Sequence, residues 1–173
     1  MTFPDKIYKT AGAFSRAYFD GLNNAARSVD PDQLDQAVQI LSAAYSAKKT
    51  VFSCGNGGSA AISNHLHCDH LKGVQTDTNI KPRVISLSST IETITAIAND
   101  ISYSDVFLYQ LQTMADKGDV LVTISSSGDS ENVVKAVEWA RGNGLHVISL
   151  TGFTGGRTAK LAHVNLHVDG DNY

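Results

Sequence analysis

The stretch His65-Leu66-His67-Cys68-Asp69-His70 gathers three imidazoles, a thiol and a carboxylate into six residues. These are groups that ligate metals and move protons near neutral pH. On a helix, His65 and Asp69 are four apart and share one face, as two metal ligands or a ligand and a base must, while His67 and His70 share another. The plain alternative is a run of satisfied or solvated polar side chains. A second chemistry sits in two loops. Gly55-Asn56-Gly57-Gly58-Ser59 follows an apolar run and precedes a helical pattern. Its glycines allow close backbone approach to a ligand, and the N-terminus of the helix behind it favours an anion. Ser125-Ser126-Ser127-Gly128-Asp129-Ser130 repeats that placement with four hydroxyls and a glycine. Neither loop is a GxGxxG fingerprint or a Gly-Lys-Ser/Thr P-loop. Serine and aspartate are also good helix caps, but one cap needs one residue. Two such loops point to a bound phosphate.

The elements around these residues set the fold class. Residues 4 to about 29 read as a helix, with Ile7, Phe14, Tyr18, Leu22 and Ala25 at three- to four-residue spacing. Asp30 is a candidate N-cap with Pro31 in the first helical position, and a second helix with Leu34, Val38, Leu41, Ala44 and Tyr45 on one face ends near Lys48. This hairpin, residues 1–48, is expected to serve packing or oligomer contacts. From residue 49 to 173 short apolar runs alternate with helices. Strands are expected at 50–54, 84–87, 119–124, 145–150 and 164–168, with helices at 59–72, 90–98, 103–116 and up to 142. Nearly continuous apolar strands joined by helices predict an α/β fold, a doubly wound parallel five-stranded sheet, with ligands beyond the carboxyl ends of the strands. The last strand is followed only by Asp-Gly-Asp-Asn-Tyr173, where a covering C-terminal helix is expected and not found.

Composition narrows the classes. A chain of 173 residues, 42% hydrophobic and 18% charged, suits one soluble domain. A net charge of −3 gives no global basic field for nucleic acid or an anionic membrane, and no apolar run is long enough to span a bilayer. Cys54 and Cys68 make no disulfide framework, and MTFPDKIYKT is too polar for a signal core, so a reducing cytoplasm is the expected compartment.

Four segments carry a resemblance: SCGNGGSAA (53–61), TAIAND (95–100), GDVLVTISSSGDSENVVKA (118–136) and VISLTGFTGG (147–156). Together, over about residues 50–170, they resemble the sugar isomerase (SIS) domain, a flavodoxin-like sandwich, and within it the phosphoheptose isomerases. The resemblance implies that a phosphorylated sugar is held by Asn56, Gly57, Gly58, Ser59, Ser125, Ser126, Ser127 and Ser130. It implies that His65 and Asp69 contact zinc, with Asp69 also a proton-transfer group and substrate contact, and that Asn99 and Asp100 touch the sugar or assist. Asp69, His65 and Asp100 are thus the expected catalytic residues. The implied reaction interconverts sedoheptulose 7-phosphate and D-glycero-D-manno-heptose 7-phosphate through an enediol(ate), for surface-polysaccharide heptose synthesis, in a homotetramer. A hexose-phosphate isomerase or epimerase differs only in substrate. The rival class is a non-catalytic SIS binding protein acting through a protein partner, as in the type that associates with the bacterial replication initiator. This sequence departs from the family in three places. Asp69 stands where the family has Glu, and Lys72 where it has Arg. The family's further ligands, a Gln and a His on a C-terminal helix, find no counterpart. His163 and His167 match no motif and are expected to be structural or exposed.

Overall fold

The computed structural model describes residues 3–171. Five all-parallel strands form one sheet in the order β2-β1-β3-β4-β5: β1 Thr50–Gly55, β2 Arg83–Ser86, β3 Val120–Ser125, β4 His146–Thr151 and β5 Val164–His167. This is the doubly wound arrangement expected from the alternating runs, and its strand order reverses between β1 and β3. β3 is buried at every residue, and β1 at every residue but Thr50. That explains why both read as unbroken apolar runs and not as alternating ones.

Helices cover both faces. On one, α2 (Pro31–Ser46) places Ala37 and Ala44 against Val51, Val120, Val122 and Ile148, with Leu66 of α3 (Gly58–Cys68) alongside. On the other, α4 (Ile91–Asp100), α5 (Val106–Met114) and α6 (Glu131–Gly142) bury Ile97, Phe107, Leu111, Val133 and Val137 against Phe52, Leu121 and Val147. Burial of this kind contributes about 25 cal/mol per Å² of apolar surface removed from water.

The first helix, α1 (Ala11–Arg27), starts seven residues later than its apolar spacing predicts. Thr10 ends the extended segment by accepting a hydrogen bond from the Ala13 amide at 3.1 Å. Ile7 lies outside the helix and is exposed. The Asp30 cap and Pro31 start are observed, with Asp30 Oδ1 accepting from the Asp32 amide at 2.8 Å. The expected helix over 59–72 is α3 continued by a π-helical turn, Asp69–Val74. A short α7 (Gly156–Leu161) had no apolar periodicity to announce it. After β5 the chain turns back: Asp169 N–H donates to Ser28 Oγ at 2.8 Å, and Gly170 O accepts from Phe153 N–H at 2.8 Å. The two C-terminal residues, part of the tail where a covering helix was expected, lie outside the described residues.

Candidate active site

β1 and β3 are adjacent and parallel, with Gly55 paired to Ile124, so the loops that leave them emerge side by side. Loop 1 (Asn56 and Gly57) leads into α3, and loop 2 (Ser126–Ser130) leads into α6. They enclose a pocket of about 150 Å³ lined by Asn56, Ser59, Ile124, Ser125, Ser126, Ser127 and Ser130. Asn56, Ser59, Ser125, Ser126, Ser127 and Ser130 of the expected phosphate residues therefore line one small polar cup, Gly57 and Gly58 do not, and the N-termini of two helices lie beside it.

Three of the five serine hydroxyls there are free to take a ligand. Ser130 is the N-cap residue of α6 but makes no side-chain capping bond. Among the described residues, Ser59, Ser126 and Ser130 hydroxyls have no hydrogen-bond partner. Ser125 Oγ instead accepts from the Gly128 amide at 3.2 Å, and Ser127 Oγ from the Asp129 amide at 3.3 Å, shaping the turn.

Close packing explains two of the glycines. A Cβ on Gly55 would stand 2.7 Å from Ile124 O, and one on Gly128, whose φ is +67°, would stand 1.9 Å from Gly155 O. Loop 2 is braced from outside by α7: the Thr158 amide donates to Gly128 O at 2.9 Å, and Arg157 Nε and Nη2 reach Asp129 Oδ1 at 3.1 Å and Glu131 Oε2 at 2.9 Å. Hydrogen bonds from the Arg157 backbone amide and guanidinium hold the Asp129 carboxyl below its ordinary pKa. No motif in the sequence pointed to Arg157.

The other expected residues lie outside this cup. His65 and Asp69 do share a helix face, with His65 Nε2 3.4 Å from Asp69 Oδ2, and both are well exposed. They follow Ser59 by six and ten residues on the same helical segment, about 9 and 15 Å along its axis at α-helical rise. A buried hydroxyl chain seats that helix on the sheet: Ser63 Oγ donates to Ser53 Oγ at 2.8 Å, and Ser86 Oγ to Asn64 Oδ1 at 2.6 Å. Imidazole and carboxylate are donors that zinc takes. The pair fits as two ligands of such a site, and no group of three potential ligands forms among the described residues. Asn99 and Asp100 close α4, where Asn99 Nδ2 donates to Asp100 Oδ1 at 2.8 Å. His163 and His167 are structural: His163 Nδ1 accepts from the Val147 amide at 3.0 Å, and His167 Nδ1 pairs with Thr151 Oγ1 at 2.9 Å. A larger, mainly apolar cavity of about 690 Å³ adjoins the cup through Ser59, Ile124 and Ser126, walled by α1 and the ends of β4 and β5.

A family model described as SIS domain matches residues 17–152. The chain belongs to the SIS domain family. Phosphoheptose isomerases are among its relatives there. That of Colwellia psychrerythraea is 48% identical over 111 residues, which is 64% of this chain and 56% of the relative. That of Shewanella halifaxensis is 38% identical over 135 residues, 78% of this chain and 68% of the relative. The chain thus spans a little over half the length of the first relative and about two thirds of the second. A solved phosphoheptose isomerase from Francisella tularensis superposes with a TM-score of 0.84 at 30% identity, covering 99% of this chain and 88% of that one. The Neisseria gonorrhoeae enzyme gives 0.81 at 31% identity, covering 94% and 88%. No helix among the described residues is long and apolar enough to cross a membrane.

Proposed function

We propose that this SIS domain chain is an aldose–ketose isomerase interconverting sedoheptulose 7-phosphate and D-glycero-D-manno-heptose 7-phosphate. The cup between loops 1 and 2 carries the proposal: three unpartnered serine hydroxyls and two helix N-termini converge where one phosphate fits. The phosphoheptose isomerase relatives support the choice of sugar.

A seven-carbon sugar phosphate holds its phosphate and its carbonyl at opposite ends. The cup binds the non-reacting end, so orientation lowers part of the barrier to chemistry at the other. α3 and the π-helical turn after it then carry the reacting groups away from the cup, with His65 on α3 and Asp69 opening the turn. The Asp69 carboxylate is the candidate to move the proton between C1 and C2, and Asn99 and Asp100 offer polar contacts to the sugar. His65 and Asp69 would hold zinc as two of its ligands, and a zinc ion supplies a Lewis acid that polarises a carbonyl. By the family resemblance Asp69 takes the place of a Glu and is one methylene shorter, which shortens its reach to metal and substrate. A homotetramer in the cytoplasm, supplying heptose for surface polysaccharide, is the setting this reading implies.

The test is turnover of sedoheptulose 7-phosphate by the zinc-supplemented chain, with the aldose followed directly. Activity lost in Asp69→Ala while sugar-phosphate binding persists is the expected result. No aldose from the wild type, or undiminished aldose from Asp69→Ala, overturns the catalytic assignment.

A further inference from the structure

Loop 1 is bonded through its carbonyls to the first turn of α3, where the Ser59 amide donates to Asn56 O at 2.9 Å, but open space flanks its glycine side. A Cβ built on Gly57 or on Gly58 would meet nothing within 4 Å. Yet this loop must hold a fixed distance from loop 2 if both are to grip one phosphate. The side-chain restraint that ties it toward loop 2 comes from Asn56. Its Nδ2 donates to Asn132 Oδ1 at 2.9 Å, and Asn132 Nδ2 donates back to Asn56 Oδ1 at 2.9 Å. Tyr103 Oη adds a third bond to Asn56 Oδ1 at 2.9 Å, so both lone pairs of that oxygen are used. Asn132 is only 2% exposed and is the second residue of α6, immediately behind loop 2. Tyr103 opens the 3₁₀ turn Tyr103–Asp105, just after Asn99 and Asp100. That turn is itself tied to α6, because Lys135 Nζ reaches Asp105 Oδ1 at 3.0 Å and Ser104 Oγ at 2.8 Å. One amide therefore joins loop 1, the helix behind loop 2, and the segment following the Asn99–Asp100 pair.

We propose that Asn132 and Tyr103 are positioning residues: by holding the Asn56 amide they set the separation of the two loops and hence the grip on the sugar's phosphate. A reciprocal amide pair suits this task because it carries no charge to compete with the anion and fixes both distance and plane. The proposal rests on the phosphosugar reading of the cup, but the clamp itself can be observed without any sugar.

The test uses Asn132→Ala and Tyr103→Phe in the full chain. The second variant removes one hydroxyl from a side chain that is 55% exposed, so it is expected to fold normally. Without ligand, hydrogen exchange at the Ser59 and Ala60 amides, which donate to Asn56 O, should quicken roughly tenfold in Asn132→Ala, while β3 amides keep wild-type rates. With sedoheptulose 7-phosphate, Tyr103→Phe should raise KM about fivefold and change kcat less than twofold, the signature of lost uniform binding. Unchanged exchange at Ser59 and Ala60 overturns the clamp, and so does a wild-type KM in both variants. If the wild type itself neither binds nor turns over the sugar phosphate, the functional reading falls, and the exchange rates still decide the clamp.

Discussion

The Ser130 side chain holds the N-cap position of α6 without bonding to any amide of the first turn, and the Asp30 side chain holds the same position on α2 with a 2.8 Å bond from the Asp32 amide. The two residues separate what a cap does from what a ligand contact does. Asp30→Ala should cost about 1 kcal/mol in urea unfolding, the usual worth of a formed cap. Ser130→Ala should leave the unfolding midpoint within about 0.5 kcal/mol of wild type, because no hydrogen bond is lost. Its affinity for the sugar phosphate should fall roughly tenfold or more in calorimetry, since hydrogen bonds to charged groups are worth about 1.5–3 kcal/mol. A stability loss without an affinity loss would return Ser130 to an ordinary capping role. Gly128 behaves differently, because its contact is with the fold. A methyl group there meets Gly155 O at 1.9 Å with φ at +67°, so Gly128→Ala must move loop 2 or α7. Strain at a positive φ alone costs roughly 1–3 kcal/mol. A lowered melting temperature together with weaker sugar-phosphate binding is the expected outcome.

Among the elements, the ladder between β4 and β5 is extended by a histidine just before β5. His163 Nδ1 accepts the Val147 amide, and the His163 amide donates to Val147 O at 2.9 Å. Burial, followed by the nearby charges of Arg141 and His146, lowers the His163 pKa. A folded pKa below the unfolded value means the unfolded chain binds the proton more readily. The contribution of His163 is therefore fully present above about pH 6.5, the usual imidazole value, and is lost as the pH falls through that value and then the folded pKa. Urea midpoints measured from pH 8 to 5 should decline on the acid side, and His163→Gln should flatten that part of the decline. Elements of this kind also show what pattern reading reaches. The five strands were legible because each is a short apolar run bounded by turn residues, and the Asp30-Pro31 start because its chemistry is local. The beginning of α1 was not, since Ile7 fits a helical spacing that the Thr10 cap interrupts. α7 carries Gly156, Arg157 and Lys160 over six residues with no stripe to betray it. At the site, the serines and glycines announced the cup, whereas Asn132 and Tyr103 did not: Asn56 lies 76 and 47 positions from them, and no spacing rule spans such gaps.

Over the whole molecule the two cysteines report separately on surface and core. Cys68 is exposed at the end of α3, whereas Cys54 sits on β1 inside the core, with burial pushing its thiol up to about 12. A thiol reagent at pH 8 should consume Cys68 at once, because only an accessible thiolate attacks. Cys54 should wait for β1 to leave the sheet. β1 lies between β2 and β3 and ends at Gly55, whose amide and carbonyl both bond Ser88 Oγ, at 3.1 and 2.9 Å. Opening β1 must therefore break its ladders to both β2 and β3, and the rate of Cys54 labelling should follow global stability in urea. The phosphate cup is built on the ends of β1 and β3, so a sugar phosphate bridging loops 1 and 2 has to depart before Cys54 is exposed. Ligand at one hundred times its Kd stabilises the folded state by about 2.7 kcal/mol, which should slow Cys54 labelling about a hundredfold and leave Cys68 unaffected. Equal labelling of Cys54 with and without sedoheptulose 7-phosphate would place the ligand elsewhere on the molecule, or nowhere on it.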